Sequence, residues 1–175
     1  MVTTHECCLC SQIEGRVDGD LIARLLPDKP YARRVMLETT SFAVIPSLGP
    51  LVAGHSLLCP KRHVRSFGAL DSRLSAELEG IKAELRRGLR EMVSSEITVF
   101  EHGMATTGDR IVCTVDHAHL HFVPLPASLG AGLMPPGQWV EFDGSQAALR
   151  QLSGGREYVA YEAPTGRSRL FSRPT

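Results

Sequence analysis

Apolar positions along the chain follow two rhythms. Leu70, Leu74, Leu78, Ile81, Leu85, Leu89 and Met92 recur at steps of three and four, which lines one face of an α-helix, so a long amphipathic helix is predicted over 70–93 with Asp71 as its N-cap. Gly80 and Gly88 interrupt this pattern; each either weakens the helix by about 1 kcal/mol relative to alanine or permits close packing on a sheet. Elsewhere the apolar residues come in short runs bounded by glycine and proline, the mark of strands. Strands are expected at 38–46, 55–60, 96–101 and 111–123, the last stopped by Pro124 and Pro126, with a glycine- and proline-containing loop at 47–54. Residues 127–138 read as a linker, followed by a short helix near 143–152 and a hairpin whose arms, 157–162 and 167–172, turn at 163–166. Hairpin-joined strands with one long helix specify an α+β fold, an antiparallel sheet with the helix packed on it. The expected organisation is a domain over 1–126 and a C-terminal extension over 127–175, packed on the same domain as a hairpin appendage.

Within the strand expected at 111–123, His117, His119 and His121 alternate with Ala118, Leu120 and Phe122. Strict alternation on a strand puts all three imidazoles on one face and their apolar neighbours on the other, whereas a helix would spread the imidazoles over about 200° of arc. Neutral imidazoles each need a donor and an acceptor, and protonated ones repel, so three on one face point to chemistry rather than packing. Metal ligation, nucleophilic attack and proton transfer are the three kinds open to them. A neutral imidazole attacks phosphorus well, and the resulting phosphorus–nitrogen bond is labile enough to pass its group to water.

Charge narrows the partners. Of 175 residues, 19 are Lys or Arg and 19 are Asp or Glu, so the chain lacks the basic footprint that binding to a nucleic-acid polymer or an anionic membrane demands. No apolar run reaches membrane-spanning length and the first residues lack a signal peptide's pattern, which makes a cytoplasmic location the expectation. The five cysteines are an odd number; Cys7, Cys8 and Cys10 are crowded, while Cys59 and Cys113 stand alone. That is no disulfide framework. Cys7-x-x-Cys10 fits two thiolates reaching one zinc ion from a tight turn, a redox pair, or a cluster of packed thiols.

His117-Ala-His119-Leu-His121-Phe-Val-Pro124 resembles at every position the motif that defines the histidine triad family, His-φ-His-φ-His-φ-φ with φ apolar. Gly54-His55-Ser-Leu-Leu-Cys-Pro60-Lys61-Arg62-His63 is similar to that family's Gly-His-x-Leu-φ-φ-Pro-Lys-x-His strand, and Cys7-x-x-Cys10-x-x-Ile13 to the opening of many bacterial members. The resemblance spans about residues 7–126 and implies an α+β homodimer that binds a nucleotide or nucleotide conjugate. It implies a hydrolase that cleaves a substituent from the α-phosphorus through a nucleotidyl-histidine; the alternatives are a nucleotidyltransferase with a small-molecule acceptor, or a nucleotide-binding module without useful turnover. By the same resemblance His119 is the nucleophile with His121 and His55 beside it, and Cys7, Cys10, His63 and His117 hold a zinc ion whose closed shell makes it structural. Thr114 takes the place of the Ser or Thr that bonds a phosphate oxygen. Ser47 and Cys113 stand at substrate-binding positions where many members carry an acidic residue and Gln. The loop 101–110, His102 included, is longer and more polar than the family's usual turn and is expected to add substrate contacts. His121, where the transferring branch carries Gln, favours the hydrolase side. The C-terminal extension, with Trp139, Tyr158, Tyr161, Arg167 and Arg169, is expected either to shape substrate choice across the site or to extend the sheet or a dimer interface.

Overall fold

Alternation along the strands gives the sheet two buried faces of unequal extent. The computed structural model describes residues 7–28, 33–104, 115–126, 129 and 137–172. Among these, β1 (Leu37–Glu38), β2 (Phe42–Pro46), β3 (Ser56–Pro60), β4 (Ile97–Gly103), β5 (Leu120–Pro124), β6 (Val140–Phe142), β7 (Tyr158–Glu162) and β8 (Ser168–Ser172) form one antiparallel sheet in the order β1-β2-β3-β5-β4-β7-β8-β6. The α-helices are α1 (Cys8–Glu14), α2 (Leu21–Leu25), α3 (Ser75–Val93) and α4 (Gln146–Ser153). On one face Phe42, Val44, Leu58, Val99, Leu120 and Phe122 close on Leu78, Ile81, Leu85 and Leu89 of α3 and Leu149 of α4. On the other, Ala43, Ile45, Leu57 and Cys59 pack against Leu9 and Ile13 of α1. Because α1 covers only β2 and β3, the same face of β5 and β4 is left to the imidazoles. Among the described residues no helix is long and apolar enough to cross a membrane.

The sequence pattern is corrected at several boundaries. The strand expected at 38–46 breaks after Glu38, because Thr39 closes a turn with Phe42 and the Glu77 carboxylate accepts from both the backbone N–H and the hydroxyl of Ser41; β1 then folds back on β2. The helix expected from residue 70 starts at Ser75, since Asp71 caps a separate 3-10 turn over Ser72–Leu74. Gly80 and Gly88 face open space rather than the sheet, and Met92, carried past the sheet's end, is exposed. Of the strand expected at 111–123, residues 111–114 lie outside the described residues and regular pairing begins at Leu120, although Ala118, Leu120 and Phe122 all reach the core as alternation requires. The linker is followed by β6, an edge strand on β8 that the pattern missed.

The C-terminal hairpin continues the main sheet: β7 pairs with β4 from Val99↔Glu162 to Gly103↔Tyr158. Gly103 permits this seam, because a Cβ there would fall within the Tyr158 ring. β4 also runs two residues further than expected. Glu101, expected at the junction of a strand and a polar loop, turns into the core, where its carboxylate accepts from Phe67 N (2.7 Å) and the Tyr158 hydroxyl (2.6 Å).

Candidate active site and metal cluster

α1 brings the two cysteines together. Cys7 is its N-cap and accepts from Cys10 N, so both sulfurs lie at the helix's start rather than in a free turn, and Gly15 ends the helix in the left-handed conformation. His63 and His117 approach from the sheet: Cys10 Sγ is 3.4 Å from His63 Nδ1 and 3.3 Å from His117 Nδ1, while Cys7 Sγ is 3.5 Å from His117 Nδ1. The four ligand atoms lie within 4.8 Å of one another. A tetrahedral zinc ion with ordinary Zn–S and Zn–N bonds would separate S from N by about 3.5 Å, so the cluster can hold a metal ion. Its surroundings agree: His117 Nε2 donates to Pro60 O at 2.8 Å, and His63 Nε2 faces the Asp116 carboxylate at 3.6 Å, leaving both Nδ1 atoms to act as ligands. The hydrogen bond between the two sulfurs holds Cys7 below the usual thiol value and Cys10 above it.

Beside the cluster, backbone groups set the proton positions of the remaining imidazoles. His119 Nδ1 lies 2.7 Å from His117 O. A carbonyl only accepts, so Nδ1 carries the proton and Nε2 keeps its lone pair. Leu51 N–H donates to His55 Nδ1 at 3.1 Å, which puts the His55 proton on Nε2; that proton is given to His121 Nδ1 at 3.0 Å, leaving His121 Nε2 a donor. The His119 and His121 rings meet edge to face at 4.7 Å, and Phe100 stacks on His121 at 4.4 Å. A nucleophilic lone pair thus sits beside a hydrogen-bond donor.

Electrostatics keep this group neutral. Burial, followed by the charges of His119 and His55, lowers the His121 pKa to about 3. Burial and then the His119 charge lower His55. His119 is lowered mainly by burial, with the His117 carbonyl opposing and the charges of His117 and His102 adding to the fall. Each imidazole therefore titrates below its ordinary value, as a nitrogen nucleophile working near neutrality requires.

The sequence-predicted site residues fall into three groups. Cys7, Cys10, His63 and His117 meet at the cluster, and His55, His119 and His121 meet beside it. Ser47 adjoins this second group, its backbone N–H donating to His55 O at 3.1 Å. His102 belongs to β4 rather than to a loop; its Nε2 is 2.6 Å from Glu157 Oε1. Thr114 and Cys113 lie outside the described residues. Sequence reasoning missed Phe100, Glu157, Asp116 and the carbonyl of Pro60. Phe100 was within reach, since alternation from the core residue Val99 puts it on the imidazole face, but nothing in the sequence ties Glu157 to His102.

Sheet, long helix and alternating imidazoles are together the architecture of a histidine triad protein. Residues 22–132 match the family described as "Scavenger mRNA decapping enzyme C-term binding", a family of the histidine triad type, and the chain belongs to it. Solved structures share the fold. A HIT family protein from Bacillus anthracis is 17% identical, with 78% of this chain and 84% of that one covered and a TM-score of 0.56. A HIT family member from Bacillus subtilis is 18% identical, with coverage of 75% and 81% and a TM-score of 0.53. A protein from Streptococcus mutans is 22% identical, with coverage of 87% and 83% and a TM-score of 0.52. A search of curated proteins finds no match.

Proposed function

We propose that this protein is a nucleotide hydrolase that cleaves a substituent from the α-phosphorus of a nucleoside phosphate. One observation carries the reading: the His117 carbonyl holds the Nδ1 proton of His119, so the Nε2 lone pair is ready for attack. His119 Nε2 bonds to phosphorus as the substituent leaves, and water then breaks the phosphorus–nitrogen bond. His121 Nε2–H, fixed by the relay from Leu51 through His55, donates to a phosphoryl oxygen and meets the charge that builds there. The matched family's description names a decapping enzyme, which supports an enzymatic reading. Ser47, Thr114, Cys113 and His102 complete the substrate contacts in this proposal.

Zinc is the metal proposed for Cys7, Cys10, His63 and His117, since two sulfurs and two imidazole nitrogens at tetrahedral spacing suit it. With all four positions filled by protein, its part is to tie α1 to the sheet. A thiol-rich site of this kind suits a reducing, cytoplasmic compartment. The proposal includes a homodimer. Among the described residues the open edges of the sheet are β1 and β6, two and three residues long, so such a dimer joins faces or helices more readily than edges.

The test is His119→Ala. Turnover of nucleoside 5′-phosphate conjugates is expected to fall by at least about a thousandfold, while binding of the product nucleotide and the thermal unfolding curve stay close to wild type. Intact-protein mass spectrometry of acid-quenched wild type is expected to show a nucleotidyl adduct that the variant lacks. Retention of more than a few per cent of the wild-type rate would end the nucleophile assignment, and product formation only when an alcohol or amine acceptor is added would assign the protein as a transferase.

A further inference from the structure

β4 offers the imidazole face two residues. Val99 and Glu101 point into the core, so Phe100 and His102 point the other way. Phe100 is registered opposite His121, the last pair of the β4–β5 ladder, and His102 lies two residues further along the same face of β4, near enough to His119 for its charge to act on that ring. On its other side His102 is opposite Val159 of β7, and the residue just before β7, Glu157, bonds its Nε2 at 2.6 Å. Since a carboxylate accepts, the Nε2 proton of His102 belongs to this bond. Nδ1 has no partner among the described residues, and the side chain is a quarter exposed.

Among the described residues the other imidazoles of the site commit their protons elsewhere. His119 uses its Nδ1 proton on a carbonyl, and the relay through His121 and His55 ends on the Leu51 backbone N–H, which is not a source of protons. A basic leaving group, an amine or an alkoxide, must be protonated as it departs. We propose that His102, oriented by Glu157 of the C-terminal extension, is the general acid that protonates the leaving group. The inference rests on His119 as the nucleophile.

The step balances. The His119 Nε2 lone pair forms the nitrogen–phosphorus bond while the bond from phosphorus to the substituent breaks. The departing atom keeps that electron pair and takes the Nδ1 proton of doubly protonated His102. His102, now neutral and still bonded through Nε2–H to Glu157, then accepts a proton from the attacking water at Nδ1. As the water oxygen joins phosphorus, the nitrogen–phosphorus bond breaks and its electrons return to His119. Glu157 acts on the ring and not on the substrate, so it is a positioning residue.

Two leaving groups of different basicity test the assignment. Wild type, His102→Gln, His102→Ala and Glu157→Gln are assayed with adenosine and guanosine 5′-(4-nitrophenyl) phosphates, whose phenolate leaves unaided, and with the matching benzylamine phosphoramidates. Both His102 variants are expected to lose at least about thirtyfold more in kcat on the amidates than on the nitrophenyl esters. Glu157→Gln is expected to lose about tenfold in kcat on the amidates alone, with KM unchanged. Thermal unfolding curves that match wild type show that the variants fold. Equal losses on both substrate types, or no loss on either, would overturn the role of His102 while leaving the nucleophile intact. Absence of both turnover and adduct in wild type would overturn the nucleophile reading and this one with it.

Discussion

Replacing Glu101 with glutamine asks what it costs to hold a carboxylate in the core without a cation. Glu101 is fully buried and bonded to Phe67 N–H and the Tyr158 hydroxyl. Burial pushes its pKa up from 4.5 to about 7, against the smaller downward pull of those two bonds. A carboxyl whose folded pKa lies above its unfolded pKa binds its proton more tightly when folded. Its contribution to stability is therefore complete below the unfolded value, declines as the pH rises, and levels off above the folded one. At 1.36 kcal/mol per unit the shift amounts to about 3 kcal/mol in all, of which about 2.5 kcal/mol falls between roughly pH 5 and pH 8. Glutamine has the same shape, accepts from Phe67 N–H and does not titrate. The unfolding free energy of Glu101→Gln minus that of wild type, from urea denaturation at a series of pH values, is expected to move in the variant's favour by about 2–3 kcal/mol across that window. The subtraction removes His121 and His55, whose lowered pKa values act with the opposite sign and cost stability as the pH falls below 6.5. Parallel curves for the two proteins would refute ionisation of Glu101 within the core.

Three further outcomes are expected. Protein purified without chelators should carry one zinc ion per chain by elemental analysis, and stripping it should lower Tm by roughly 10 °C or more, since binding energy at such a site is folding energy; no stoichiometric metal would count against the proposed ligands. Gly103→Ala should destabilise by about 2–3 kcal/mol in urea denaturation, because the added methyl enters the Tyr158 ring and the buried seam has little room to yield; a neutral effect would show that the ring is not held across β4. Deleting 153–175 removes Tyr158 and Leu170 from the core and bares β4, so the truncated chain should lose its cooperative thermal transition, whereas a folded truncated protein would show that the remaining strands close the core unaided.

The central residues were legible because their signals are local. A period of two over 117–122 sorts imidazoles from core residues, and a period near 3.6 over 74–89 marks the face of α3 that lies on them. The boundaries depended on side chains remote in sequence: Glu77 reaches back 36 residues to Ser41 and fixes the turn that splits β1 from β2. The burial of Glu101 escaped because a glutamate at the end of the expected strand, beside His102 and Gly103, reads as the start of a polar loop, whereas the pairing of β4 with β7 carries the strand onward and turns that carboxylate inward. β6 was hidden by its length, three residues being too few for any periodicity to register. Tautomers were beyond reach in principle, for they depend on the carbonyls of His117 and Pro60 and the N–H of Leu51, and backbone groups leave no mark in a sequence.

The seam between β4 and β7 joins the core to the site. Two consecutive residues of β4 bond Tyr158, which opens β7, and Glu157 just before it, on opposite faces: Glu101 receives the Tyr158 hydroxyl in the core, and His102 meets Glu157 on the imidazole face. Since a strand has period two, whatever fixes one bond fixes the register of the other. The Tyr158 hydroxyl also accepts from Gly68 N at 3.0 Å, and Phe67 N donates to Glu101, so the segment between His63 at the metal cluster and α3 is anchored to the same pair. The core carboxylate thus holds together three parts of the chain that the sequence leaves far apart: the stretch leaving His63, the strand bearing His102, and the extension supplying Glu157. This accounts for a buried acid that taken alone costs stability, because its two hydrogen bonds set the frame on which the imidazole face is built.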